Sequence, residues 1–412
     1  MADLTTLEVL LHGRPIGTLT HLGGDQTLFA FNQSYIDDPA RDTLSLSFKD
    51  AFGGLISTLR PTQTRVAPFF ANLLPEAELR DYLAERAGVN PKREFYLLWA
   101  LGQDLAGAVS VRSADGPTLP PAASDGIKPR ADIGADKPLR FALAGVQLKF
   151  SAVMAATGGL TIPVTGVGGA WIVKLPSLKF PGVPQNEFAM MTLARKVGIS
   201  VPDIRLVKTA EIAGLPEGMK KLESTAYAIK RFDRLDDGGA VHIEDFAQVF
   251  SIYPEQKYKN ASYRNIAEVV AAESGDEGAR EFVRRLAFNI LIGNGDMHLK
   301  NWSLIYPDRR APVLSPAYDF VSTIVYLPDD DKMALTVGRT KKFLEITKDD
   351  FAYLAAKAKL PQQSVLVTVS DTVARFLDIW HREKRALDLP ASTITAIDNH
   401  LKRAPLAALA KS

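Results

Sequence analysis

The stretch GDMHLKN, residues 295–301, is the part of this 412-residue sequence that decides how the rest is interpreted. It follows residues 281–292, where apolar side chains recur at helical spacing, and Gly293 is suited to end that helix. Asp296 and Asn301 stand five positions apart. The carboxylate can accept a proton from an attacking hydroxyl, and the amide oxygen suits Mg²⁺, which prefers oxygen ligands. Alternatively, both side chains satisfy backbone donors in an ordinary loop.

A second carboxylate, Asp319, follows 23 residues after Asp296, in the segment AYDF at residues 317–320. Protein kinases carry an Asp and an Asn at the same five-residue spacing in their catalytic loop, and a metal-binding Asp follows in an Asp-Phe-Gly motif. Here Val321 replaces the glycine of that motif. The order of the three residues favours phosphoryl transfer.

Phosphoryl transfer also requires a cradle for phosphate groups and a nearby cation. The segment AGVQLK, residues 144–149, offers a small turn in which Gly145 permits close approach of the backbone to phosphate. Lys174 lies on a predicted strand at 171–175 and is either an edge-strand solubiliser or a cation with a buried head, and the flanking apolar residues favour the second. Glu187, on a predicted helix, is either its ion-pair partner or an exposed carboxylate.

Composition narrows the class of protein. Lys and Arg total 49 against 47 Asp and Glu, so no charge surplus drives binding to nucleic acid or an acidic membrane. The absence of Cys excludes disulfides, thiolate catalysis and Cys-based zinc sites, and the six His residues form no zinc-hydrolase pattern. The N-terminus does not resemble a secretory signal, and the uncharged stretch 150–171 is too rich in Gly to span a membrane as a helix. We therefore expect a cytoplasmic protein.

Local patterns predict an α+β fold. The first hundred residues carry strand patterns at 7–11, 27–31 and 43–48, followed by a helical stretch at 69–87. A Pro- and Ala-rich segment then marks a boundary. A helix is predicted at 187–197, and helices dominate the last part, where Thr347 and Asp350 stand at capping-box spacing. The predicted parts are an N-terminal α+β domain at 1–112, a linker at 113–138, a nucleotide-binding lobe at 139–235 and a helical catalytic lobe at 236–412.

Four segments together resemble the HipA family of Ser/Thr-kinase toxins from bacterial type II toxin–antitoxin modules. They are LAGVQLK at 143–149, similar to the family's phosphate loop, WIVKLP at 171–176, similar to its ATP-lysine strand, AIKRFDR at 228–234, similar to its hinge, and IGNGDMHLKNWS at 292–303, similar to its catalytic loop. The segments GRPIG at 13–17, PFFANLLPE at 68–76 and GAV at 107–109 also have counterparts there. The resemblance runs over nearly the whole chain.

The resemblance implies a role for each candidate residue. Asp296 would be the catalytic base, Asn301 and Asp319 would hold Mg²⁺, and Lys174 would contact the phosphates of ATP. The phosphate loop would comprise Ala144, Gly145, Val146, Gln147, Leu148 and Lys149, and the nucleotide would also contact Lys230, Phe232, His298, Lys300 and Tyr318. Gln248 matches a glutamine that the family keeps near the site.

The resemblance also implies a fold and partners. The fold would be a small β-rich N-terminal domain packed on a bilobal, protein-kinase-like domain with a mainly helical C-terminal lobe. The protein would use ATP and Mg²⁺ to phosphorylate a serine of a bacterial protein, an aminoacyl-tRNA synthetase in the family's best-known members. A small helix-turn-helix antitoxin would restrain it and make most of the contacts with operator DNA. One departure is Ala142, which stands where the family commonly has a regulatory serine. Autophosphorylation of residues 139–149 is therefore not expected.

Two other functions remain open. The spacing of Gly295, Asp296, His298 and Asn301 also resembles the catalytic loop of aminoglycoside and choline phosphotransferases, which act on small molecules. A catalytically inactive scaffold that binds an antitoxin and DNA is disfavoured, because a scaffold has no need of Lys174 together with the three catalytic-loop and metal candidates.

Overall fold

The computed structural model describes residues 5–115, 149–154, 159–162, 169–177, 179–215 and 224–411. Strands dominate the first half of the described residues and helices the second half, which confirms the α+β prediction with a mainly helical C-terminal lobe. We name three parts by position. They are the N-terminal module at 5–115, the sheet lobe at 149–235 and the helical lobe at 236–411.

The N-terminal module is built on a sheet of five antiparallel strands. Their bounds are β1 Thr5–Leu11, β2 Arg14–Leu22, β3 Gln26–Phe31, β4 Thr62–Gln63 and β5 Val109–Ser113. The strand order is β4-β3-β2-β1-β5. Leu7, Val9 and Leu11 alternate along β1 and are buried, as expected for a strand with one face on a core. The strands predicted at 7–11 and 27–31 are confirmed as β1 and β3.

Two predictions for this module are wrong. The helices are α1 Gln33–Ile36, α2 Pro68–Ala71, α3 Ala77–Ala87 and α4 Glu94–Leu101. Residues 43–48 do not form a strand: Leu46–Phe48 is a short 3-10 helix, because the Ser45 side chain accepts from the Ser47 amide and donates to Glu244 of the helical lobe. The helix predicted at 69–87 is split into α2 and α3. Asn72 ends α2 by donating to the Pro68 carbonyl, and Pro75 has no amide hydrogen to continue a helix.

The sheet lobe contains a second antiparallel sheet covered by a helix. The elements are β6 Lys149–Met154, β7 Leu160–Thr161, β8 Trp171–Lys174, β9 Ile204–Lys208, β10 Thr225–Lys230 and the helix α5 Val183–Val197. The order β7-β6-β8-β10-β9 makes β8 the central strand. The helix α5 ends at Gly198, whose left-handed conformation (φ 99°) suits a glycine after a helix, as predicted.

The helical lobe combines long helices with short strands. Its elements are β11 His242–Asp245, α6 Phe246–Val249, α7 Tyr263–Leu291, β12 Ser303–Tyr306, β13 Val313–Leu314, β14 Lys332–Val337, β15 Thr340–Lys342, α8 Lys348–Lys357, α9 Gln362–Glu383 and α10 Ala391–Arg403. The helix predicted at 281–292 is the second half of α7, which bends at Gly275 (φ 63°, ψ −163°). The predicted capping box of Thr347 and Asp350 is confirmed at the start of α8.

One large apolar core joins α5 of the sheet lobe to the helices of the helical lobe. Phe288 on α7 packs edge-on against Phe376 on α9, with ring centroids 5.6 Å apart. Burial of each such aromatic side chain contributes roughly 1.5–3 kcal/mol to folding. This shared core fixes α5 relative to the helices of the helical lobe, and we call the boundary between the two lobes the cleft. Within the described residues, none of the helices combines the length and the apolar character needed to cross a bilayer.

Candidate active site

Lys174 stands at the end of the central strand of the sheet lobe and reaches into the cleft. Its ammonium group lies 2.6 Å from Oε1 of Glu187 on α5 and also contacts Oδ1 of Asp319 in the helical lobe. Lys174 is 8% exposed and Glu187 2%. The lysine is therefore a buried cation and not an edge-strand solubiliser. Of the two alternatives left open for Glu187, the structure shows the ion pair with Lys174 and not an exposed carboxylate.

The three charges of this cluster influence each other strongly. Burial alone would lower the pKa of Lys174, but the carboxylates of Asp319 and Glu187 outweigh it and raise that pKa above its ordinary value. For Asp319, burial is likewise outweighed by Lys174, which holds the pKa of the carboxyl below its usual range. Burial raises the pKa of Glu187, so its carboxylate depends on the lysine for its charge. The cluster carries an ionised lysine and an ionised Asp319 at neutral pH.

The backbone at Asp319 is held in an unusual conformation. Its φ of 58° is left-handed, a region that few residues other than glycine occupy. Nδ2 of the buried Asn294 donates to the Asp319 carbonyl at 3.4 Å. Strain of this kind costs of order 1–3 kcal/mol and is often found at functional sites. Here it accompanies the turn that brings the carboxylate to Lys174.

The catalytic-loop stretch, residues 295–301, is anchored by its own polar groups. Asn294 accepts from the Asp296 amide at 3.1 Å, and the Gly295 amide donates to Thr323 at 2.8 Å. A Cβ on Gly295 would lie 2.7 Å from the Lys332 carbonyl oxygen, so only glycine fits there. Asn301 donates through Nδ2 to the Asp296 carbonyl at 2.8 Å. The loop is thus fixed before any ligand binds.

The Asp296 carboxylate does not serve the local backbone as in the ordinary-loop alternative. Its Oδ1 accepts from the Tyr258 hydroxyl at 2.5 Å. The Tyr258 ring stands edge-on to His298, with centroids 4.9 Å apart. Burial raises the pKa of Asp296, while Tyr258 and Lys257 counteract that effect. Burial also lowers the pKa of His298 to about 3, so this imidazole is neutral at pH 7.

Lys300 and Gln248, both expected near the site, face the N-terminal module. The Lys300 ammonium donates to the Asn72 carbonyl at 2.8 Å and lies 3.1 Å from Glu76. Gln248 closes the capping box of α6 with Asp245 and donates to the Phe69 carbonyl at 3.0 Å. The segment PFFANLLPE at 68–76 is therefore the part of the module that docks beside the catalytic loop.

The hinge segment combines a half-buried lysine with a tilted aromatic pair. Lys230 reaches outward and pairs with Asp236 at 2.8 Å. Phe232 lies against Tyr318, with ring centroids 5.8 Å apart. The Tyr318 hydroxyl also donates to the Lys300 carbonyl at 3.0 Å, which links this pair to the catalytic loop.

The buried arginine of the hinge segment anchors it to the N-terminal module. Arg231 contacts Asp104 of the module at 3.0 Å and Asp233 at 2.8 Å. Ser151 on β6 donates to the second oxygen of Asp104 at 3.1 Å. The hinge is thus braced from the module side.

The expected phosphate loop is only partly described. Ala144, Gly145, Val146, Gln147 and Leu148 lie outside the described residues, as does Ala142. Lys149 begins β6 directly opposite Lys174 and lies within electrostatic range of Asp319. Lys149 is exposed to solvent.

The structure adds three residues that the sequence did not point to. Tyr258 contacts the Asp296 carboxylate, and Glu76 and Asn72 contact Lys300. Each contact joins residues far apart in the chain, so no local spacing could predict it. The signal for the latter two was the segment 68–76 itself, which was noted in the sequence without a role.

Family comparisons cover both halves of the chain. The family model of the HipA N-terminal domain matches residues 7–112, and that of the HipA-like C-terminal domain matches residues 141–380. A protein of Sinorhizobium fredii, provisionally named kinase Y4dM, is 54% identical over 405 residues, 97% of either chain. The serine/threonine-protein kinase toxin HipA of Shewanella oneidensis is 27% identical, with 82% of this chain and 79% of that one covered.

A solved structure shows the same fold. It is that of HipA from the Shewanella oneidensis MR-1 toxin–antitoxin system, in a complex with HipB and operator DNA. The superposition has a TM-score of 0.74 at 21% identity and covers 98% of this chain and 96% of the other. The similarity therefore extends over the N-terminal module and both lobes.

Proposed function

The chain belongs to the HipA-like kinase family, and we propose that it is an ATP-dependent serine/threonine protein kinase that acts as the toxin of a toxin–antitoxin module. The observation that supports this most is the contact of Lys174 with both Glu187 and Asp319. It joins a strand, a helix and a loop from two lobes across the cleft that also holds Asp296 and Asn301. Protein kinases require such a lysine–glutamate pair and such a metal-binding aspartate to be in place for transfer.

In the proposed reaction, Asp296 accepts the proton of a substrate serine hydroxyl. The serine oxygen forms a bond to the γ-phosphorus of ATP while the bond from that phosphorus to the bridging β–γ oxygen breaks, and ADP leaves. Because Tyr258 holds Oδ1 of Asp296, we assign Oδ2 to the substrate. Little covalent chemistry falls to the protein in such a reaction, so fixed position and charge are what the site must supply.

Lys174 is proposed to hold the phosphates of ATP, with Glu187 orienting its ammonium group. Lys149 and residues 144–148 are proposed to form the phosphate loop at the cleft mouth. Phe232, Tyr318, His298, Lys230 and Lys300 remain proposed nucleotide contacts. Of these, Phe232 and Tyr318, whose rings are in contact, offer an aromatic surface suited to a base, and the neutral His298 adds no charge beside the phosphates.

The residues proposed for Mg²⁺ fit a hard cation. Asp319 is kept ionised by its neighbours, and Asn301 uses its amide nitrogen on the Asp296 carbonyl, which leaves its amide oxygen as the ligand atom. Both would hold the ion. When bound, Mg²⁺ would neutralise the charge that develops on the transferred phosphoryl group.

The partners are also proposals. The structure of the Shewanella HipA is a complex with HipB and operator DNA, which supports a small helix-turn-helix antitoxin as the partner here. The balanced charge of the chain agrees with DNA contact made mainly through that antitoxin. As a target we propose a cytoplasmic aminoacyl-tRNA synthetase, whose phosphorylation would stop translation and growth and favour persistence.

The proposal is tested by supplying purified protein with MgATP labelled at the γ-phosphate and a choice of acceptors. We expect label on one or a few proteins of a bacterial extract, with a requirement for Mg²⁺, and none on aminoglycosides or choline. Transfer to the small amino alcohols alone would favour the small-molecule kinase. The absence of any transfer under all acceptors would contradict the proposal. Co-expression with a helix-turn-helix partner is expected to relieve growth arrest.

A further inference from the structure

Glu76 belongs to the N-terminal module, but its side chain leaves that module. It stands immediately before α3, and its side chain makes no bond to the free amides at the start of that helix. The next residue, Ala77, has a φ of 48°, a left-handed conformation that is unfavourable for alanine. The start of α3 therefore has no side-chain cap and contains a strained residue, while the Glu76 carboxylate is turned toward the helical lobe.

The Glu76 carboxylate joins two lysines of the helical lobe. Its Oε2 lies 2.7 Å from the Lys257 ammonium, and its Oε1 lies 3.1 Å from the Lys300 ammonium. The lysine side chains are 20% and 14% exposed, so water reaches these charges only in part. Burial alone would raise the pKa of Glu76, but the two lysines lower it to about 2, so the carboxylate is ionised throughout the physiological range.

Asn72 of the same module secures the second lysine. Its carbonyl oxygen accepts from Lys300 at 2.8 Å and its side-chain oxygen at 3.2 Å. Its own Nδ2 donates to the Ile252 carbonyl at 2.8 Å, so the asparagine is fixed from the helical-lobe side as well. Lys300 is thereby held by the module from two directions.

Both lysines are attached to the segments that hold Asp296. Lys257 precedes Tyr258, whose hydroxyl contacts the Asp296 carboxylate, and the Lys257 carbonyl accepts from the Leu299 amide at 3.2 Å. Lys300 precedes Asn301, whose side chain contacts the Asp296 carbonyl at 2.8 Å. One carboxylate thus ties together the two chain segments on either side of the proposed base.

A second ion pair between the module and the helical lobe serves as a comparison, because it docks the module without contacting the catalytic loop. Arg65 of the module pairs with Glu255 of the helical lobe at 2.9 Å, with side chains 31% and 60% exposed. Neither residue contacts the catalytic-loop stretch in the bonds described. Exposed pairs of this kind contribute little to stability. Glu76 is different because it is less exposed and its partners belong to, or bond to, the catalytic loop.

We propose that Glu76 is a positioning residue for phosphoryl transfer, through which the N-terminal module completes the active site by fixing Lys257 and Lys300. The reaction itself rests on the function proposed above, whereas the fixing of the loop does not. A displacement of about 1 Å at the reacting atoms can cost about 100-fold in rate. Loss of this clamp, which consists of the contacts of Glu76 with Lys257 and Lys300, should therefore appear mainly in turnover. Because Lys300 is also a proposed nucleotide contact, ATP affinity should change much less than turnover.

The kinetic test compares Glu76→Gln with Glu255→Gln, two charge-neutralising changes at the same interface in the full-length protein. We expect Glu76→Gln to lower kcat for transfer to extract protein about 10- to 100-fold, with the KM for ATP within about twofold of wild type. Glu255→Gln should match wild type within about twofold in both. Glu76→Asp, which keeps the charge, should recover part of the loss.

Amide hydrogen exchange tests the positioning role of Glu76 independently of catalysis. Hydrogen exchange of the Leu299 and Asn301 amides, whose acceptors lie in or beside the clamp, should be about tenfold faster in Glu76→Gln and unchanged in Glu255→Gln. If wild type transfers no phosphate, the kinase proposal fails, and this exchange result alone judges the clamp. Should Glu76→Gln not fold, Lys257→Met removes the same contact from the other side and should give the same loss of kcat and faster exchange.

Three results would overturn the inference. They are equal losses of kcat in the Glu76 and Glu255 variants, a change confined to the KM for ATP, or unaltered amide exchange together with wild-type turnover in Glu76→Gln. Equal losses of kcat would mean that Glu76 only docks the N-terminal module on the helical lobe.

Discussion

Two charge clusters flank Asp296, and they differ in depth and in origin. Lys174, Glu187 and Asp319 meet between the two lobes, where the lysine and glutamate side chains are 10% and 3% exposed. The cluster of Glu76 with Lys257 and Lys300 lies between the N-terminal module and the helical lobe, and its carboxylate is 33% exposed. Charges interact more strongly where water is excluded. The first cluster should therefore govern both stability and chemistry, whereas the second should govern position.

The largest effect is expected for Lys174→Met, which leaves Glu187 and Asp319 without their cation. Removal of one partner of a buried ion pair costs roughly 3–5 kcal/mol, and loss of a charge that stabilises the transition state costs about 10²- to 10³-fold in rate. We expect a lower melting temperature, a lower kcat and a higher KM for ATP. Lys196→Met is the matched control, since Lys196 pairs with Glu383 at the surface. Equal effects of the two changes would contradict the special role of the buried cluster.

The next effect concerns the metal ligands. Asp319→Asn removes the formal charge offered to Mg²⁺ and is expected to lower turnover about 100-fold and to weaken MgATP binding in calorimetric titration. Asn301→Ala removes a neutral oxygen and should weaken MgATP binding less. Unchanged affinity in both variants would mean that the metal lies elsewhere.

A pH experiment tests the buried His242, which joins the helical lobe to the N-terminal module. His242 donates from Nε2 to the Leu44 carbonyl at 2.7 Å, and burial lowers its pKa to about 4 from 6.5. The unfolded chain thus takes up this proton first, so stability should fall as the pH drops from 6.5 toward 4, by about 3 kcal/mol in total. His12 and Asp233 are the titratable groups within electrostatic range.

The neighbouring Glu244 has the opposite effect, because burial raises its pKa to about 7 and its protonation stabilises the fold as the pH drops from 7 to 4.5. We therefore compare melting curves of wild type and His242→Gln, a replacement that can still donate to Leu44. The variant should gain stability relative to wild type below pH 6.5. A difference that stays constant with pH would show that His242 does not titrate as described.

The smallest effect is expected at Tyr258, whose hydroxyl contacts the Asp296 carboxylate. Tyr258→Phe removes only the hydroxyl that donates to Asp296. A hydrogen bond to a charged group is worth roughly 1.5–3 kcal/mol, so kcat should fall about tenfold or more while ATP affinity stays the same. Tyr353→Phe, at an exposed tyrosine, is the control. Wild-type turnover in Tyr258→Phe would show that the Tyr258 hydroxyl is not needed to orient the Asp296 carboxylate.

The two clusters also mark what could be predicted from the sequence. Lys174, Glu187 and Asp319 were identified because each lies in a local pattern that carries chemical meaning: a lysine on an apolar strand, a glutamate on the next helix, an aspartate after a strand and turn. The partner of Lys257 is 181 residues away and that of Lys300 is 228 residues away. No spacing encodes such contacts, because they form only when the module packs on the helical lobe.

The errors in the fold prediction have the same origin. Residues 43–48 have strand-like apolar spacing, but Ser45 and the Leu46 amide bind the distant Glu244 carboxylate and turn the chain into a 3-10 helix. The break between α2 and α3 places Asn72 and Glu76 beside Lys300. In both cases a tertiary contact outweighs local propensity.

Asp296→Asn tests whether Asp296 is the base of a protein kinase. The change keeps the size of the side chain and removes its ability to accept the proton. We predict that MgATP binds Asp296→Asn with wild-type affinity in calorimetric titration, while phosphate transfer to bacterial extract protein, followed by mass spectrometry, falls about 10²- to 10⁴-fold. Wild-type transfer by Asp296→Asn would show that Asp296 is not the base.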